Sequence, residues 1–121
     1  MKYIGTITSD PIQNINLITD DGSKIDLTFE YRSMRQGWYY SFKWGDFEVK
    51  NRRLITGYNI LRQFRNILPF GFSVTVNNSP QGNEAVFQDD FSNGRAQFYL
   101  LNSEDVADVE EKISIFDERL A

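Results

Sequence analysis

From Ile12 onward, apolar and polar residues alternate. Ile15 and Leu17 point one way, Asn14 and Asn16 the other. After the turn signal Asp20-Asp21-Gly22-Ser23, Ile25, Leu27, Phe29 and Tyr31 share one face, opposite Asp26, Thr28, Glu30 and Arg32. A period of two marks a half-buried strand. Keeping Ile15 and Leu17 on the face of Ile25 requires an odd loop, with a bulge expected at Gly22. Past a polar loop, Trp38, Tyr40, Phe42 and Trp44 alternate with Tyr39, Ser41 and Lys43. An antiparallel register pairing Tyr31 with Trp38, Phe29 with Tyr40, Leu27 with Phe42 and Ile25 with Trp44 keeps all these rings together. Gly45-Asp46 reads as a two-residue primed hairpin turn, setting Lys43 opposite Glu48 and Phe42 opposite Val49. The pattern predicts a three-stranded antiparallel meander.

Between Leu54 and Phe72 the period changes. Ile60, Leu61, Phe64 and Leu68 recur at helical spacing, which predicts a short amphipathic helix lying on the β layer. Pro69 ends it, because proline disfavours the helical region for the residue before it. Gly71 is expected to let the backbone reverse. Phe72, Val74 and Val76 then form a strand, residues 77–83 a loop, and residues 84–94 remain loop-like. Ala96, Phe98 and Leu100 make the last strand. Ser103 reads as an N-cap with Glu104 and Asp105 in the first turn. Val106, Val109, Ile113, Phe116 and Leu120 continue at heptad spacing, so a helix is expected over 103–119.

The fold expected is mostly β: a small antiparallel barrel or sandwich with one short internal helix and a C-terminal helix. Residues 1–11 read as an N-terminal arm or edge strand and residues 12–121 as a single domain. The expected core is Ile25, Leu27, Phe29, Tyr31, Trp38, Tyr40, Phe42, Trp44, Phe64, Val74 and Phe98. The short terminal heptad fits packing on the domain's own sheet better than a coiled coil.

Composition agrees with sheets: 15% of the 121 residues are aromatic. The chain has neither Cys nor His, which removes thiol nucleophiles, Cys/His zinc sites and His-based triads. Asp89-Asp90 could suggest half of a carboxylate pair, but neighbouring loop residues diverge, and a structural turn is the better account. No phosphate loop, dinucleotide fingerprint or serine-nucleophile motif occurs. The sequence therefore indicates no catalytic residue, metal or cofactor, and no small-molecule substrate. The N-terminus lacks a signal-peptide core and no apolar run is long enough to span a membrane, so a soluble, cytosolic nascent chain is expected.

Charge divides along the chain. Residues 32–65 hold eight basic side chains against Asp46 and Glu48, whereas residues 84–121 hold ten carboxylates against three basic side chains. That asymmetry suits internal docking, head-to-tail contact between copies, or two solvated faces. An aromatic platform for single-stranded nucleic acid is conceivable, with the basic segment following the backbone. It would need exposed rings, and these rings share a face with Ile25 and Leu27. Overall acidity also weighs against nucleic acid.

The run Leu54-x-x-Gly57-Tyr-Asn59-Ile-Leu61, followed by Leu68-Pro-Phe-Gly71, resembles the phage baseplate plug family, first described in a cyanophage with a contractile tail. The spacing from Ile25-x-Leu27 to Trp38 and the closing Phe98-Tyr99-Leu100-Leu101 strand also match, so the resemblance spans about residues 13–112. The family's Pro-Gly-Gly-like turn stands here as Pro69-Phe70-Gly71. The resemblance implies a non-enzymatic virion component near the baseplate hub, contacting hub and tail-tube proteins, with host cytoplasm as its location before assembly. The residues nominated for such contacts are Arg52, Arg53, Arg62 and Arg65, with Asp108 and Glu111 as acidic counterparts, toward neighbours or copies of the chain. A small β-barrel binding module for single-stranded nucleic acid or a peptide is the alternative.

Overall fold

The computed structural model describes residues 1–35, 37–77 and 86–120, with side chains described as far as Lys112. Two antiparallel sheets carry the fold. Strands β2 (Ile12–Ile18), β3 (Lys24–Arg32), β4 (Gly37–Trp44) and β5 (Phe47–Arg53) form the meander in sequence order. The second sheet has β7 (Ala96–Leu101) between β1 (Lys2–Tyr3) and β6 (Gly71–Val76). Helix α1 (Ser103–Leu120) follows β7. The sheets do not close into a barrel; the arrangement is sandwich-like.

The meander has the register that the alternation requires. Phe29 lies opposite Tyr40, Leu27 opposite Phe42 and Tyr31 opposite Trp38, the ladder stopping at Asp26–Lys43, one residue short of Ile25–Trp44. The first hairpin has the odd loop. Thr19 N–H donates to Ser23 C=O, Gly22 N–H donates back to Thr19 C=O, and Gly22 takes φ +86°. This is a turn closed by a left-handed bulge residue, which restores Ile15 opposite Leu27 and Leu17 opposite Ile25. In the second hairpin Gly45 has φ +56°, and Trp44 lies opposite Phe47, Lys43 opposite Glu48 and Phe42 opposite Val49. Glu48 pairs with Lys50 on its own strand, at 3.2 Å.

The core fills the space between the sheets. Phe29 meets Phe98 edge-on at 5.4 Å and Phe42 meets Phe72 edge-on at 5.5 Å, so ring contacts from both β3 and β4 cross the interior. Edge-to-face contacts favour the ring quadrupoles beyond simple burial. Ile25, Leu27, Phe29, Trp38, Tyr40, Phe42, Val74 and Phe98 are all buried. Tyr31, Trp44 and Phe64 are only half-buried, packing against the rim of this cluster rather than within it. The buried Trp38 indole satisfies its N–H on Phe87 C=O at 3.0 Å, which ties the loop after residue 86 across the top of the core. In that loop Asp90 accepts from Phe87 N–H and from Arg95 at 2.7 Å, making the acidic pair's second member a structural tie.

Several expectations are corrected. The helix over Ile60–Leu68 shrinks to a one-turn 3-10 helix at Arg62–Phe64 with turns on either side, its backbone N–H groups bonding mostly three residues back (Phe64 to Leu61, Arg65 to Arg62, Ile67 to Phe64). Gly71 does not reverse the chain: it opens β6, and its smallness serves packing against Asn59. The cap of α1 is Asn102, not Ser103. Asn102 Oδ1 accepts from Asp105 N–H at 2.8 Å while Asp105 Oδ2 accepts from Asn102 N–H at 3.1 Å, a reciprocal capping box. Residues 1–11 need no such correction: they supply β1, an edge strand paired to β7, and they also bury Ile4 and Ile7. Val106 is buried and Val109 half-buried; the side chains of Ile113, Phe116 and Leu120, and residues 78–85, where the sequence predicts a loop, lie outside the described residues.

Candidate interaction surface

The segment quoted for the resemblance is a structural splice. Leu54, Leu61 and Leu68 are buried, and Gly57 exchanges backbone hydrogen bonds with Val74, laying this stretch along the free edge of β6. Asn59 is buried and turns its Oδ1 onto Leu61 N–H at 3.0 Å, an Asx turn that starts the single helical turn.

The arginines are sorted by one bulge. Tyr40 pairs with Arg52 but Phe42 with Val49, so an extra residue stands opposite Ser41. Asn51, at φ +55°, is the left-handed residue there, and its N–H donates to Ser41 Oγ at 2.9 Å. Such an insertion flips which side of the sheet the following residues address. Arg52 therefore shares the inner face with Tyr40. Its guanidinium lies 5.5 Å from the Phe64 ring centre and donates to Gln63 at 3.2 Å. Burial pushes the Tyr40 phenol above its ordinary range, with the nearby Arg52 opposing that shift. Arg53 instead joins the outer face.

On that outer face Tyr39 is clasped by arginines. The Arg32 guanidinium lies 4.3 Å and that of Arg53 5.9 Å from its ring centre, and Arg53 Nη1 donates to the Tyr39 hydroxyl at 3.4 Å and to Arg35 C=O at 3.3 Å. The Arg35 side chain hydrogen-bonding the hydroxyl, together with Arg53, holds the Tyr39 phenol below the usual tyrosine range, against the upward push of burial. Arg32 also donates to Glu30 at 3.2 Å and to Asn51 Oδ1 at 3.0 Å. Gly37 makes room: a Cβ there would stand 2.9 Å from Arg53 Nη2. Next to the cluster, Met34 is 98% exposed. Arginine, tyrosine and methionine together are the residue types enriched at protein interfaces.

The six nominated charges are not one patch. Arg53 sits in the outer-face cluster and Arg52 on the inner rim. Arg62 Nε pairs with Glu110 of α1 at 2.8 Å and Arg65 Nε with its other oxygen at 3.5 Å, so this part of the charge asymmetry is spent on internal docking. Asp108 and Glu111 are exposed on α1. Sequence reasoning missed Arg32, Arg35, Tyr39 and Met34 as a group. Its one available signal was that Arg32 and Tyr39 both fall on the polar side of the alternation. The core rings are closed to solvent, Phe29 and Trp38 at 0% exposure, so the aromatic face offers no stacking platform for bases.

Fold and surface together define a small two-sheet β domain whose rings are used internally and whose outward chemistry is a set of stacked arginines. Its residues 1–104 match the family described as cyanophage baseplate Pam3 plug gp18, and the chain belongs to that family. Membership gives it a structural role in a phage tail baseplate, among other baseplate proteins. No curated protein matches the chain.

Proposed function

We propose that this protein is a non-enzymatic, hub-associated plug component that works through protein–protein contacts during tail assembly, with hub and tail-tube proteins as neighbours. The observation that carries the reading is the Arg32–Tyr39–Arg53 stack beside the exposed Met34. Guanidinium groups already held on a ring by internal hydrogen bonds lose little further side-chain entropy on binding, and they present positive charge on the outer face to a neighbour's carboxylates. An acidic surface on a neighbouring baseplate protein is the matching partner. Arg62 and Arg65 contribute less to such contact because Glu110 already occupies them.

The test is co-purification with candidate hub and tail-tube proteins. Arg32→Glu with Arg53→Glu is expected to abolish association while leaving the far-UV spectrum of the folded domain in place. Undiminished association of that variant would refute the assignment of this face.

A further inference from the structure

We propose that β2 is a self-pairing edge, joining a second copy of this chain antiparallel about a twofold axis through Ile15. Residues 12–18 read Ile-Gln-Asn-Ile-Asn-Leu-Ile, nearly the same in both directions, with no charge and no proline. The strand pairs with β3 through seven successive residues without a bulge and, among the described residues, has no strand on its other side. Long, regular, uncharged edges lack the features by which proteins discourage strand addition.

The hydrogen-bond phase fixes which groups face outward. Tyr31 N–H donates to Pro11 C=O and Thr19 N–H to Ser23 C=O, so Pro11 and Thr19 stand in bonded pairs with the neighbouring chain. In an antiparallel ladder bonded and non-bonded pairs alternate. Gln13, Ile15 and Leu17 therefore address β3, and the N–H and C=O groups of Ile12, Asn14, Asn16 and Ile18 point off the open edge. These four residues are exposed, and among the described residues no backbone bond reaches them. The Ile12 and Ile18 side chains are 71% and 58% exposed.

A twofold through Ile15 sets Ile12 opposite Ile18 of the second copy and Asn14 opposite its Asn16. Both members of every such pair carry outward groups, so about eight backbone bonds form in phase. The same register covers exposed isoleucine with isoleucine and pairs asparagine with asparagine. A foreign strand would have no need of this symmetry, which is why a second copy is the occupant. Beyond the ladder Asp10 comes opposite Asp20, a like-charge pair at each end that salt would screen. Two four-stranded sheets then become one, with an arginine face from each copy left open.

The purified full chain is expected to show a concentration-dependent mass rising from 14.1 kDa toward twice that value in light scattering at moderate salt. Asn16→Pro removes only an outward N–H, a position an edge strand tolerates, and should weaken the dimer more than tenfold with the fold intact. Since the chain has no cysteine, Ile15→Cys reports the register directly. Mild oxidation should link it to its twin, whereas Asn14→Cys alone should stay unlinked. A wild-type chain that remains a monomer to about 100 μM, about a hundredfold above a micromolar association, overturns the proposal. So does an Asn16→Pro variant that dimerises as well as wild type, or an Ile15→Cys variant that fails to link. None of these outcomes bears on hub binding through the arginine face.

Discussion

Asn59 and Gly71 are fitted to one another: a Cβ on Gly71 would stand 2.5 Å from Asn59 Oδ1, the atom that accepts the Leu61 N–H. Two residues of the family-like motif, twelve positions apart, thus form a single joint between the helical turn and the start of β6. Asn59 is buried, so it has little room to give way. Gly71→Ala is expected to cost about 1–3 kcal/mol in urea unfolding, the usual range for overpacking a filled site. In an Asn59→Ala background the same substitution should cost far less, and equal costs in both backgrounds would rule out the joint.

Phe29 is fully buried and touches rings from three other elements: Trp38, Phe91 and Phe98. Phe29→Ala should lower stability by about 3–5 kcal/mol, as removal of a buried phenylalanine typically does. The half-buried Trp44, at the rim, should cost clearly less when cut to alanine. The order of the two midpoints in a denaturant titration checks this.

Asp105 joins the helix cap to the chain's start, its Oδ2 lying 2.6 Å from the Met1 ammonium. Burial works against its charge, but the ammonium and the Asn102 N–H outweigh that and hold its carboxyl below the usual carboxylate range. A carboxyl with a lowered folded pKa binds fewer protons folded than unfolded. Its contribution is therefore present above about pH 4 and is lost as pH falls through the lower, folded value. Acid unfolding monitored by far-UV circular dichroism should begin at higher pH in Asp105→Asn. Acetylating the N-terminus should move it the same way.

Glu110 is the shared anion of Arg62 and Arg65. Arg62 is 45% exposed, so screening limits the pair, and Glu110→Gln should change global stability by less than about 1 kcal/mol. The local effect is larger: amide exchange in the first turns of α1 should quicken. Loss of the Arg62 contact also means that an Arg62→Glu phenotype reports helix docking before it reports any neighbour.

The meander was legible because its information is local. Alternation assigns faces, and only one register keeps Leu27, Phe29, Tyr40 and Phe42 together. The arginine surface was not legible, because its composition turns on the Asn51 bulge, a single inserted residue that decides which of Arg52 and Arg53 faces inward. No periodicity marks such a residue. The Asn102 cap escaped for a related reason, since Ser103 offers the same chemistry one position later and only the backbone path chooses between them.

The sequence by itself determined a β domain with an aromatic interior, its hairpin registers and a terminal helix, since side-chain period and turn chemistry act between near neighbours. Tertiary structure alone decided that Ile4 and Ile7 enter the core, that the Leu54–Asn59 stretch lies along β6, and that Arg62 and Arg65 turn inward to Glu110. Those outcomes depend on which distant surfaces meet once the sheets stack, and a contact between remote residues leaves no pattern in the order of either segment.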